Sequence, residues 1–275
     1  MAKLTVINPA TDKEIATYET ISFAEVRKQL ERADARSREW RTTSFKHRAS
    51  LLKKAAARLR ENAEEYSKLI TTEMGKPMEE AKSEVEKCAW VCEYYAKQAP
   101  RFLLDERIKT DAKKSYVRYN PLGVVLAVMP WNYPFWQVFR FAAPALMAGN
   151  AGILKHASNV PGCALAIEEI FNTAGFPEGL FKSLLVESKM VKRIIRHPLV
   201  QAVTLTGSEG AGAAVAAEAG KQIKKSVLEL GGSDPYLILE DADLDHAAKV
   251  CAQSRLLNSG QSCIGAKRHK HCRPL

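Results

Sequence analysis

Cysteine is scarce in this chain, with six among 275 residues at uneven spacing. Such spacing makes no disulfide framework, and a reducing, cytoplasmic compartment is expected. Acidic residues are absent after Asp245. From there to Leu275 the basic residues are Lys249, Arg255, Lys267, Arg268, Lys270 and Arg273, six of a net charge of +10. The rest of the chain is nearly balanced, which argues against a nucleic-acid partner; the basic end reads as solvated. The N-terminus, MAKLTVINPATDKE, lacks an apolar core of signal-peptide length. A clean membrane span is lacking too. The most apolar stretch, 122–149, contains Pro130, Asn132, Pro134, Gln137, Arg140 and Pro144, and lipid could not satisfy these. A buried strand followed by a buried helix is expected there, with no membrane partner. Internal repeats and low-complexity segments are also missing. What remains is a composition of 46% apolar and 26% charged residues, enough for a soluble domain with an ample core.

The first hundred residues read as helices. Ser22-Phe-Ala-Glu25 has the form of a capping box, and Val26, Leu30 and Ala33 recur at helical spacing after it. A second helix is predicted over about 45–73, stopping at Met74-Gly75-Lys76-Pro77. A third spans about 78–98 and stops before Pro100. Cys88 and Cys92 lie one turn apart on it and read as core cysteines rather than a metal pair. Residues 113–119 (KKSYVRY) alternate like a half-exposed strand. Beyond them, strands are predicted at 123–128, 151–155, 183–186, 202–205, 226–230 and 236–239. Helices are predicted at about 136–148, 160–174, 191–196, 211–219 and 247–257. Short apolar strands alternating with helices imply a parallel sheet covered on both faces. Chemistry is then expected just after the strands, at their carboxyl ends.

Several residue groups stand at those positions. Asn132, between Pro130 and Pro134, offers an amide N–H to an oxyanion, or caps the next helix. Lys155, which opens Lys-His-Ala-Ser158, suits a ribose hydroxyl or a phosphate, or snorkels at the surface. Thr206-Gly-Ser-Glu-Gly-Ala-Gly212 opens a helix and makes an anion site, though its spacing is neither G-x-G-x-x-G nor a P-loop. Glu229 precedes Gly231-Gly232 and is a general base or an ion-paired surface residue. Cys263, in Asn258-Ser-Gly-Gln-Ser-Cys263, stands in an acid-free setting that favours a thiolate; a structural cysteine is the other reading. His269, His271 and Cys272 form an H-x-H-C cluster at the end of the chain, read as a floppy terminus rather than a metal site.

In order, PWN at 130–132, Lys155, TGS at 206–208, LELGG at 228–232 and GQSC at 260–263 resemble the aldehyde dehydrogenase superfamily. The likeness runs from Asn8-Pro9-Ala10-Thr11 to about Arg268. The runs 154–159 (LKHASN) and 228–235 (LELGGSDP) look most like bacterial NAD(P)-dependent succinate-semialdehyde dehydrogenases. This resemblance implies a Rossmann-type parallel sheet with helices on both faces, preceded by a helical N-terminal region. It implies Cys263 as nucleophile, Asn132 with the Cys263 N–H as oxyanion hole, and Glu229 as the base that activates water. It implies cofactor contacts at Met129, Pro130 and Trp131, at Lys155, His156, Ala157 and Ser158, at Gly207, Ser208 and Gly212, and at Leu230. A serine at 158, where many NAD-preferring members carry Glu, implies that NADP is accepted beside NAD or preferred to it. Arg140, eight residues after Asn132, matches the arginine that grips a semialdehyde's carboxylate. The implied partner is a small aldehyde, with homo-oligomers among full-length relatives and no resident metal.

The family pattern continues well past the nucleophile, whereas here Cys263 lies twelve residues from the end. The expectation is a truncated or frame-shifted reading with little dehydrogenase activity, the alternative being an inactive fragment that only binds cofactor. The resemblance divides the chain into a cofactor-binding domain (1–108 and 121–231), an oligomerisation strand segment (109–120) and the first part of a catalytic domain (232–275). The strand at 113–119 is expected to be left as an unpaired edge.

Overall fold

A computed structural model describes residues 2–271; Cys272 of the H-x-H-C cluster lies outside them. The chain opens with an antiparallel hairpin, β1 (Lys3–Asn8) and β2 (Lys13–Glu19). Four helices follow: α1 (Phe23–Trp40), α2 (Phe45–Glu61), α3 (Ala63–Met74) and α4 (Met78–Phe102). A short pair, β3 (Glu106–Arg107) and β4 (Tyr116–Val117), leads into the alternating part. That part runs β5 (Val124–Val128), α5 (Trp136–Met147), β6 (Ala151–Lys155), α6 (Pro161–Thr173), β7 (Phe181–Ser183), α7 (Val191–Ile195), β8 (Val200–Thr206), α8 (Glu209–Lys221) and β9 (Lys225–Glu229). Then come β10 (Pro235–Ile238), α9 (Leu244–Leu256) and β11 (Arg268–His271).

The strands β7-β6-β5-β8-β9 form one parallel sheet in that order. Every residue of β6 is buried. Successive strand residues point to opposite faces, so both faces are covered there. Helices α5 and α6 pack on β6 and β7 and are themselves covered by α2, α3 and α4; α1 packs on β5–β7, while α7 and α8 pack on β8 and β9. The core is apolar and rich in rings, with Phe171 central to contacts with Phe139, Phe176 and Phe181. Strand β10 stays out of this sheet and pairs in parallel with β11.

The expected helices and strands of the alternating part are present, with shifted ends at β7, which begins two residues before 183. The N-terminal reading needs correction. Residues 3–19 are a hairpin, not helix. Only Leu4 and Val6 are buried in it, which leaves little alternation to read. The helix expected over 45–73 breaks at Asn62 (φ −112°, ψ 23°), whose side-chain amide donates to Arg58 O at 3.1 Å. A short polar side chain that competes for backbone groups favours such a break. Helix α4 runs through Pro100 to Phe102; so near the end, proline removes a single helical hydrogen bond. The strand expected over 113–119 shrinks to Tyr116–Val117 and is not unpaired, since it meets Glu106–Arg107. An ion pair between Arg118 and Asp105 (2.6 Å) supports the turn.

Ser22 caps α1 as expected, its Oγ accepting the Glu25 N–H at 3.2 Å, although Glu25 turns to Gln29 instead of reaching back. Gly75 ends α3 at φ 78°, a conformation glycine adopts without strain. Cys88 and Cys92 are fully buried, and burial pushes both thiols up. Among the described residues no group of three or more His, Cys, Asp or Glu could hold a metal, and no helix is long and apolar enough to cross a membrane.

Candidate active site

Four strands of the parallel sheet end where the candidate residues begin. After β5 the chain turns through 129–134 into α5. Met129 N–H donates to Lys155 O at 3.1 Å, extending the β5–β6 ladder by one bond. Asn132 does not cap α5. The N–H groups of Phe135 and Trp136, which lack intrahelical acceptors, donate to Glu84 Oε1 of α4, each at 2.9 Å. A carboxylate at a helix N-terminus satisfies free donors and complements the dipole. Asn132 instead donates its side-chain amide to Gln261 O at 2.8 Å, and its own carbonyl accepts from the Asn258 amide at 2.8 Å.

The segment that carries Cys263 takes an unusual path. Asn258, Ser259 and Gly260 all have positive φ, at 58°, 52° and 74°. For Ser259 this conformation costs on the order of 1 kcal/mol. Polar ties hold the turn in place. Asn258 is buried, its backbone N–H donates to Glu80 Oε2 at 2.6 Å, and its amide also reaches Gln261 O at 3.0 Å. Thus α4 and the 129–134 turn together anchor the cysteine loop.

One cavity of about 460 Å³ is bordered by Asn132, Glu229 and Cys263 together, along with Pro130, Trp131, Gly207, Ser208 and Leu230. The three residues expected to carry chemistry therefore converge, although 131 positions separate Asn132 from Cys263. A second cavity of about 270 Å³ also reaches Cys263, and Tyr133, Trp136, Arg140 and Lys87 border it. The buried amide oxygen of Gln137 has no hydrogen-bond partner among the described residues, and Gln137 borders both cavities.

Glu229 ends β9 with its side chain about half exposed. Its Oε2 lies 3.2 Å from Arg140 Nη2. So the candidate base and the candidate carboxylate-binding arginine meet each other in this structure.

Of the cofactor candidates, Pro130, Trp131, Gly207, Ser208 and Leu230 border the cavity of about 460 Å³ that holds Cys263, whereas Met129, Lys155, His156, Ala157, Ser158 and Gly212 do not. Lys155 is buried rather than snorkelling; its ammonium reaches Ser188 Oγ at 3.3 Å, and burial lowers its pKa. Ser158 is exposed two residues beyond His156. His156 faces inward, with Nε2 bonded to Pro134 O at 2.8 Å and Nδ1 accepting the Ala157 N–H at 2.9 Å. Burial pushes its pKa down to about 4, so the ring stays neutral. Ser208 caps α8 by accepting the Ala211 N–H at 3.3 Å, and Gly207 N–H donates to Glu229 O at 3.0 Å. At Gly212 a Cβ would stand 2.6 Å from Leu230 Cδ2, so any larger residue there would displace the Leu230 side chain.

Sequence reasoning did not single out Glu80, Glu84, Asn258 or Gln261. Asn-Ser-Gly is a turn signal that could have flagged 258–260. Nothing local marks Glu80 and Glu84, whose partners lie far along the chain.

Comparison with known proteins identifies the family. The model of the aldehyde dehydrogenase family matches residues 2–270. A Synechocystis protein named "probable" NADP+-dependent succinate-semialdehyde dehydrogenase is 56% identical over 265 residues, covering 96% of this chain. A Mycobacterium avium NADP+-dependent succinate-semialdehyde dehydrogenase is 52% identical over 269 residues. This chain spans 58% and 57% of the lengths of those relatives, respectively. Among solved structures, the succinic semialdehyde dehydrogenase of Streptococcus pyogenes in complex with NADP+ superposes with a TM-score of 0.95 at 39% identity, covering 98% of this chain and 59% of that one.

Proposed function

This chain belongs to the aldehyde dehydrogenase family, and we propose that its site oxidises succinate semialdehyde to succinate with NADP+ or NAD+, through Cys263. The convergence of Asn132, Glu229 and Cys263 on one cavity supports this reading above all. The first step forms a C–S bond. The Cys263 thiolate attacks the aldehyde carbon, and the carbonyl electron pair moves onto oxygen. Asn132 has a second amide hydrogen beyond the one given to Gln261, and with the Cys263 N–H it holds that oxyanion. NADP+, were it bound beside Cys263, would supply the acceptor for the hydride that the hemithioacetal must lose to become a thioester. Glu229 then takes a proton from water, the water oxygen attacks the thioester carbon, and the C–S bond breaks to release the acid.

The residues present suit the nucleotide. Lys155 is a buried cation with no carboxylate partner among the described residues, and its ammonium donates to a hydroxyl, that of Ser188. It and Ser158 would hold the adenine ribose, and a 2′-phosphate meets no negative side chain at Ser158. Gly207 and Ser208, at the N-terminus of the thirteen-residue α8, would take the pyrophosphate. His156 and Ala157 shape that strand end, Gly212 places Leu230, and Leu230 with Met129, Pro130 and Trp131 would flank the nicotinamide. Arg140 would take the carboxylate of the substrate. The proposed division is a cofactor-binding unit of 1–108 and 121–231, an association segment of 109–120, and a catalytic portion from 232 onward. The separate β10–β11 pair is in keeping with it.

A second reading is cofactor binding without turnover. It is favoured by α9, which leads into the cysteine loop yet buries none of its residues. The test is calorimetric titration of the purified chain with NADP+, beside NADPH formation from succinate semialdehyde in wild type and Cys263→Ala. Binding with turnover that C263A abolishes supports the dehydrogenase. Binding without turnover supports the second reading, and no binding overturns both.

A further inference from the structure

The second cavity at Cys263 holds charges besides Arg140 that the proposed chemistry does not use. From α4 it takes Glu80, Ser83, Glu84 and Lys87, which are spaced i, i+3, i+4 and i+7 and so share one helix face. From α5 it takes Trp136 and Arg140, one turn apart. Most of its charges are committed. Lys76 pairs with Glu84. Glu80 accepts the Asn258 N–H. Arg140 pairs with Glu229 at 3.2 Å.

Lys87 differs, because no carboxylate among the described residues forms an ion pair with it. Its ammonium lies over the ring of Trp136, 4.1 Å from the centroid. A ring face orients an ammonium without neutralising it. A solvent-exposed cation without a carboxylate partner among the described residues thus stands over Trp136 on the wall of the cavity that Arg140 also borders.

We propose that Lys87 is a second cation of the site that receives the carboxylate of the substrate, shared with Arg140. This rests on the reading that the aldehyde carries a carboxylate at its far end. The anion entering the cavity meets Lys87 and draws Arg140 from Glu229, which frees the base for water. Lys87 is here a specificity-determining residue; the bond chemistry stays with Cys263.

Charge-selective alkylation tests this without requiring turnover. Iodoacetate and iodoacetamide both lose iodide to a thiolate and form a C–S bond, but only the first is an anion. Rates at Cys263 are read by peptide mapping for wild type, Lys87→Met and Lys87→Arg, and compared with a free cysteine peptide. The ratio of the two rates cancels changes in the thiol or in folding, which reach both reagents alike. The expected result is a wild-type ratio above that of the peptide, a fall of about three- to tenfold in K87M at low salt, and recovery in K87R. A wild-type preference that K87M retains overturns the role of Lys87 while leaving a carboxylate site standing. No wild-type preference overturns the carboxylate reading itself, and the Lys87 proposal with it.

Discussion

Replacing Asn258 by alanine removes two hydrogen bonds and a conformational match together. The carboxamide donates to Asn132 O at 2.8 Å and to Gln261 O at 3.0 Å. The backbone stands at φ 58°, ψ 43°, where asparagine is tolerated far better than alanine. Each neutral hydrogen bond contributes about 1 kcal/mol net, and the left-handed backbone costs alanine about 1 kcal/mol more. N258A should therefore loosen the 258–263 loop by about 3 kcal/mol. N258G loses the bonds but keeps the conformation, and should loosen it by about 2 kcal/mol. Hydrogen–deuterium exchange of a peptide covering 257–264 reads this directly. The expected acceleration is roughly 150-fold for alanine and roughly 30-fold for glycine, with the melting temperature nearly unchanged. Equal acceleration in the two variants would refute the conformational part of the reasoning, and none in either would refute the anchoring role.

Other expectations follow from the same structure. Burial holds the His156 pKa at about 4, against about 6.5 in an unfolded chain. Below pH 6.5 the unfolded state binds the extra proton, so the stability that depends on a neutral ring is present above that pH and falls by about 2 kcal/mol on reaching pH 5. Urea unfolding at pH 7.5 and 5 should show this loss in wild type and a smaller one in His156→Gln. Arg48 is buried and donates to the carbonyls of Met147, Trp40, Arg41 and Thr43, which close the ends of α5 and α1. Arg48→Met strands those acceptors and should cost about 3–5 kcal/mol, or roughly 10 °C in a thermal melt; a drop of a degree or two would contradict it. Gly212→Ala forces Leu230 aside and should weaken NADP+ binding by about 1 kcal/mol, roughly fivefold, in a calorimetric titration.

The parts of the fold that sequence exposes are those where one short segment contains its own explanation. Strand β6 is buried on both faces, so it reads as an unbroken apolar run up to Lys155, and its bounds match expectation. Helix α5 follows it in legibility, for most of its residues are apolar despite Gln137, Arg140 and Pro144. The hairpin at 3–19 has only two buried side chains, and its pairing partner is another weak strand. The break at Asn62 falls within an apolar rhythm that continues across it, because α2 and α3 bury residues against a common neighbour, α4. At the site, Cys263, Asn132 and Glu229 could be named from motifs. Glu84 could not, since it caps a helix that begins more than fifty residues later. Nor could the pairing of Arg140 with Glu229, where two side chains with separate expected roles choose one another.

That difference in support has a consequence for how the site comes apart. Lys155, Gly207 and Glu229 stand at the ends of paired strands in the main sheet. Cys263 stands in a loop held by Glu80 to the Asn258 N–H, by Asn258 to Asn132, and by Asn132 to Gln261. The helix before that loop buries no residue, so apolar burial adds little to those ties. Three hydrogen bonds, at about 1–2 kcal/mol each, hold less than the sheet does. The cysteine loop should therefore open in urea before the sheet melts. Iodoacetamide labelling of Cys263 should accelerate at urea concentrations that leave far-UV ellipticity unchanged. Coincident transitions would mean instead that the loop belongs to the cooperative unit of the sheet, and that the polar ties are reinforced by packing.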